Sequence, residues 1–183
     1  MMSENREVLV SIRDLKQHFP VGRGKVVKAV DGISFDIYKG EVFGLVGESG
    51  SGKSTTGRAI IRLYKPTSGD VFYENKDISK SLTKSEKKHI ANKIQMIFQD
   101  PMACLNPRMT VRHIIAEGLD IHHKELSEDE KRLKVYSILE VVGLTKEHAD
   151  RYPHEFSGGH RRRKRIGRAL IMTPGLIIAD EWT

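Results

Sequence analysis

The chain has 183 residues, 38% hydrophobic and 30% charged, with a formal net charge of +7; this suffices for one globular core and excludes a disordered or low-complexity class. Its single cysteine, Cys104, excludes an internal disulfide, fits a reducing compartment and is expected to be a small buried hydrophobe. No apolar run approaches the roughly 18 residues that cross a bilayer, and the start Met1-Met2-Ser3-Glu4-Asn5-Arg6-Glu7 lacks the order of a signal peptide, so a soluble chain is expected.

Val8 to Leu15 reads as a strand, and Ile33-Ser34-Phe35-Asp36-Ile37 alternates as a half-buried antiparallel strand does, with Gly22-Arg23-Gly24 turning the chain before it. The apolar run Val42 to Val46 predicts a strand that feeds into Gly47-Glu48-Ser49-Gly50-Ser51-Gly52-Lys53-Ser54. This run has the spacing of a phosphate-binding loop, and a helix is expected to follow over Thr55 to Leu63. The glycines let backbone N–H groups turn onto the α- and β-phosphates, while the helix starting at Lys53 aims its positive end at them. Lys53 is expected to reach the β- and γ-phosphates, and the Ser54 hydroxyl to ligate Mg²⁺.

Pro66-Thr67-Ser68-Gly69-Asp70 ends that helix and leads into a short strand, Val71 to Tyr73; Ile94 to Phe98 is another, closed by Pro101. From Thr110 to Tyr152 the period is helical. Ser127-Glu128-Asp129-Glu130 forms a capping box, Leu133, Tyr136, Leu139 and Val142 an apolar stripe, Gly143 a stop, and Pro153 closes the segment. After Pro174-Gly175, the apolar strand Leu176 to Ala179 ends in Asp180-Glu181. An acidic residue at such a strand end can hold Mg²⁺ opposite Ser54, which assigns Asp180 to the metal, and its neighbour Glu181 can orient the attacking water.

Phe98-Gln99-Asp100-Pro101 and Phe156-Ser157-Gly158-Gly159-His160, lying in this order between the phosphate loop and Asp180-Glu181, resemble the Q-loop and signature motif of the ATP-binding cassette (ABC) ATPases. Val27 to Gly32, Pro66 to Gly69, Leu105 to Val111 and Arg151 to Glu155 further resemble the oligopeptide and dipeptide permease branch, second ATPase type. The resemblance implies an α/β P-loop core with an N-terminal antiparallel β region and a helical insert. Residues 1–100 would be the nucleotide-binding core, 101–156 the insert, and 157–183 the signature helix and acidic strand.

The resemblance also implies an ATPase that energises peptide import at a dimer interface, with ATP and Mg²⁺ as ligands. Phe19 would stack on adenine. Gly47, Ser49, Gly50, Ser51, Gly52, Lys53, Ser54 and Thr55 would hold the phosphates, and Gln99 would sense the γ-phosphate and Mg²⁺. Ser157, Gly158 and Gly159, opening a helix, would close on the nucleotide of a second ATP-binding subunit. Lys53, Gln99 and Glu181 would carry the catalysis, and Ser54, Gln99 and Asp180 the metal. The partners implied are that second subunit and transmembrane permease subunits, which places the chain in the cytoplasm, peripheral on the inner face of the cell membrane.

Departures from the family pattern set further expectations. Phe156 and His160 stand where Leu and Gln are usual, and Lys164 and Arg165 where residues pack on the core. Buried unpaired cations are costly, so these side chains are expected to snorkel outward or the helix to shift, with weakened packing. The chain reads Trp182-Thr183 after the acidic pair, with no counterpart of the switch histidine, so a C-terminally truncated cassette with an exposed sheet edge is expected. Nucleotide binding is expected to survive this and coupled hydrolysis not to. Two alternatives stay open: a nucleotide-binding remnant without turnover, and a nucleic-acid-associated ABC protein using the basic run His160 to Arg168. That run lacks interleaved aromatics, so a solvated basic face is favoured and no direct nucleic-acid partner is expected.

Overall fold

The computed structural model describes residues 6–98, 106–156 and 158–180. The chain divides into two compact units, Met1–Lys87 and Lys88–Thr183.

In the first unit, β1 (Val8–Pro20) and β2 (Val26–Tyr38) form a long antiparallel hairpin closed at Gly22 to Gly24. After the phosphate loop come α1 (Lys53–Ile60), β3 (Ser68–Tyr73) and β4 (Lys76–Asp77), and the sheet order is β2-β1-β3-β4. Val10 and Ile12 bury the same face of β1; the register then shifts between Ile12 and Leu15, where Asp14 sits at φ 44. This bulge absorbs one residue and returns Leu15, followed by Gln17, to the buried face. Val30, Ile37, Ala59, Ile60, Val71, Tyr73 and Ile78 complete the unit's core.

Val42 to Val46 is not a strand. Residues 41–48 carry no ladder, and Val42 and Val46 are 99% and 93% exposed. Apolar composition suggested a strand, but a strand exists only where another offers it a free edge, and the sheet of this unit takes none of these residues in. Phe43 stacks on Phe35 of β2 at 4.9 Å.

Helix α2 (Lys84–Lys93) runs across the division between the units. Its start is a capping box that the sequence reading passed over: the Thr83 hydroxyl accepts from the Glu86 amide at 3.2 Å, and the Glu86 carboxylate accepts from the Thr83 amide at 2.7 Å. The Lys76 ammonium and these Thr83 donors hold the Glu86 carboxyl down at about 2. A depressed folded value means the cap's contribution is present above the ordinary value of 4.5 and is lost as pH falls through about 2. A carboxyl-carbon NMR titration of Glu86 is expected to show a midpoint near 2; a midpoint near 4.5 would refute this cap.

In the second unit, β5 (Ile94–Ile97) pairs in parallel with β6 (Leu176–Ala179), and α3 (Val111–His122), α4 (Glu128–Val141) and α5 (Gly158–Leu170) pack together. Their common core is Val111, Ile115, Leu119, Val135, Leu139, Leu144, Phe156 and Ile171. The Ser127 capping box is present, and Gly143 at φ 70 ends α4. The stripe of α4 differs from the expected one. Val135 and Leu139, one helical turn apart, are fully buried, Tyr136 and Val142 pack partly against the cluster, and Leu133 is 65% exposed. Successive steps of three drift round a helix of 3.6 residues per turn, so the first residue of such a stripe leaves the buried face. Pro153 opens a short 3-10 turn, Pro153–Glu155, that leads toward α5. Among the described residues no helix is long and apolar enough to cross a membrane. Cys104 lies outside them.

Candidate nucleotide site

In the first unit the phosphate loop is formed. Ser51 donates its amide to the Glu48 carbonyl at 3.2 Å, Gly50 and Gly52 take φ values of 82 and 92, and α1 begins at Lys53. Only glycine fits at 52, because a Cβ there would lie 2.1 Å from the Ala29 carbonyl oxygen. A Cβ on Gly47 would lie 2.7 Å from Ser51 Oγ. The Lys53 ammonium folds back over the loop, donating to the carbonyls of Gly47 at 2.7 Å and Glu48 at 2.6 Å. Thr56 ties the first helical turn to Gly52 through both its amide and its hydroxyl.

The first turn of α1 carries no acidic residue, so its positive end meets a lysine and the hydroxyls of Ser54 and Thr55 without a competing carboxylate. This donor set, on a loop whose positions 47 and 52 leave no room for a Cβ, fits a polyphosphate. Phe19, near the end of β1, is half-buried, with its ring edge-to-face against Tyr64 at 5.2 Å and 81°. Tyr64 was not singled out from the sequence; its contact spans 45 residues of chain, and no local pattern encodes it.

In the second unit three motif segments meet. Strands β5 and β6 run in parallel and end level, Ile97 opposite Ala179. The amide of Asp180 donates to the Ile97 carbonyl at 3.0 Å, and Asp180 is buried. The residue expected to hold metal thus leaves the sheet beside the stem of Gln99, at the carboxyl end of parallel strands where α/β folds place ligands. Gly158 and Gly159 open α5 as the signature reading expects. Gln99, Ser157 and Glu181 lie outside the described residues. Among the described residues there is no group of three or more His, Cys, Asp or Glu side chains that could hold a metal ion.

Of the two outcomes expected for Lys164 and Arg165, outward snorkelling is not what the structure shows. Lys164 does not snorkel; it is fully buried, with its ammonium 3.5 Å from the centroid of the Phe156 ring. Arg165 turns inward as well and donates through Nη1 to the Phe98 carbonyl. An aromatic face supplies the electrostatic partner that makes the buried ammonium tolerable.

A phosphate cradle at a helix start and an acidic exit from a parallel strand are parts of an α/β P-loop fold. The profile of the ABC transporter family matches residues 30–183. The chain is 58% identical over 175 residues to the oligopeptide transport ATP-binding protein OppF of Bacillus subtilis, covering 96% of this chain and 57% of that protein. To OppF of Streptococcus mutans it is 53% identical over 180 residues, covering 98% and 58%. The post-hydrolysis dimer of the ATP-binding cassette MJ0796 bound to ADP and Pi superposes with a TM-score of 0.84 at 30% identity, covering 94% of this chain and 74% of that one. The chain belongs to the ABC transporter family, and its fold is that of an ABC-type ATPase cassette with an antiparallel N-terminal sheet. It spans a little under three fifths of the length of the curated relatives it matches.

Proposed function

We propose that this chain is an ATP-binding component that energises peptide import by ATP hydrolysis at a dimer interface. The observation that carries the reading is the formed phosphate cradle, Gly47 to Ser54 under the Lys53 ammonium, in a chain 58% identical to an oligopeptide transport ATP-binding protein.

In this reading Phe19 stacks on adenine, and the loop positions Gly47, Ser49, Gly50, Ser51, Gly52, Lys53, Ser54 and Thr55 hold the phosphates. Ser54, Gln99 and Asp180 would be the residues to hold Mg²⁺, whose chemistry there would be neutralisation of phosphate charge. Glu181 orients water, whose oxygen bonds to the γ-phosphorus as the bond to the β–γ bridging oxygen breaks, giving ADP and phosphate, with the water's proton passing to the carboxylate. Ser157, Gly158 and Gly159 of one chain close on the nucleotide held by the other. Residues 101–156, the helical insert, dock on permease subunits at the inner face of the membrane, between the core of residues 1–100 and the closing segment 157–183.

The test is equilibrium binding of a fluorescent ATP analogue with Mg²⁺, alongside phosphate release from ATP. Saturable binding that unlabelled ATP competes away, with phosphate release rising more steeply than linearly with chain concentration, is the expected result. Binding without release would leave a nucleotide-binding protein that does not turn over, and absence of binding would sink the reading.

A further inference from the structure

Helix α5 is anchored independently of its two inward cations. Arg163 donates to the Gly143 carbonyl at 2.8 Å, Arg168 pairs with Glu117 of α3 at 2.7 Å, and Gly167 lets the helix approach Ile115 and Ile138. From this base, neighbouring residues of one turn reach two different loops. Lys164 lies on the ring of Phe156, which His148 flanks at 5.3 Å, and Arg165 reaches the carbonyl of Phe98.

The partners are telling. Phe156 is the residue before Ser157, and Phe98 the residue before Gln99. Phe156 and Lys164 are both departures from the family pattern, and each is the other's contact: leucine at 156 would offer no π face, and an apolar residue at 164 would need none. A guanidinium donating to a carbonyl is a charge-assisted bond, roughly twice as strong as a neutral one, and directional.

We propose that Arg165 is a positioning residue. Together with Lys164, it ties the stem of the Gln99 segment and the stem of the signature segment to one turn of α5, so that the two move as a body. Resting on the function proposed above, this couples the element that senses the γ-phosphate in one site to the element that closes on the partner's nucleotide.

The brace is tested without nucleotide, on the full chain, by amide hydrogen exchange of the peptide that spans Phe98. Arg165→Met keeps the aliphatic stem and removes the donors; it is expected to speed exchange in that peptide by roughly two-fold. Arg165→Lys, which can still donate to the Phe98 carbonyl, is expected to recover most of the difference. A folded Arg165→Met chain whose exchange there matches the wild type overturns the proposal. If that variant does not fold, the unmutated chain decides: slowed rotation of the Arg165 guanidinium by NMR supports the brace, and free rotation overturns it.

Adding Mg²⁺·ATP separates this inference from the functional reading. A wild-type chain that binds no nucleotide sinks the reading while leaving the nucleotide-free comparison intact. With binding present, Arg165→Met is expected to lower kcat while KM for ATP stays within about two-fold, since uniform binding is untouched. Equal losses in both, or in neither, overturn the coupling.

Discussion

Lys53→Ala is expected to abolish the rise in melting temperature that Mg²⁺·ATP gives the chain. At ligand about a hundred times its dissociation constant, binding to the folded state alone stabilises by about 2.7 kcal/mol. For a chain of this size each kcal/mol shifts the midpoint by about 2–4 °C, so the wild type should rise by roughly 5–10 °C. The Lys53 ammonium has two loop carbonyls as partners in the structure, at 2.7 and 2.6 Å, and a polyphosphate offers it anionic oxygens instead. Alanine removes this cation from the centre of the cradle. Without nucleotide the variant should melt close to the wild type, because the bonds from the ammonium to the loop carbonyls are exposed and compete with water. A full nucleotide shift in Lys53→Ala would mean that ATP binds elsewhere or without this loop.

Ile115→Ala is expected to cost about 2–5 kcal/mol, the range for large-to-small changes at packed sites. Ile115 is fully buried on α3 within the cluster of Val111, Leu119, Val135, Leu139 and Phe156. A Cβ added to Gly167 of α5 would lie 3.4 Å from its Cδ1, so the isoleucine fills the place where α5 comes closest. Three helices bound the space, and none can close a gap there without disturbing its other contacts, which puts the cost toward the upper part of the range. Against a total stability of about 5–15 kcal/mol, this is a large fraction. Urea unfolding should show a lowered midpoint at unchanged slope. A loss under about 1 kcal/mol would show that the site collapses freely and that the cluster is not the close-packed core of this unit.

Much of the fold is written in local chemistry. The hairpin follows from alternation on either side of Gly22 to Gly24, the start of α4 from the Ser127 and Glu130 box, and its end from a glycine free to take φ 70. The Thr83 and Glu86 box was equally legible and shows that a short polar helix hides when apolar periodicity is the only signal sought. The bulge at Asp14 was not legible. It depends on how β1 shares its register with β2 and β3 at once, and both partners lie far along the chain.

The sequence by itself determined the phosphate loop and the order of the motifs. Both rest on backbone conformations and spacings that a few residue types enforce: a glycine at 52 where a Cβ meets the Ala29 carbonyl, and a lysine at the first helical position. Only the tertiary structure decided that Val42 to Val46 forms no strand, because a ladder needs a partner edge that composition cannot supply. It likewise decided where Lys164 and Arg165 go. Transfer cost argued that both cations face water or that the helix shifts; the Phe156 ring and the Phe98 carbonyl receive them instead, and they reach α5 through folding alone.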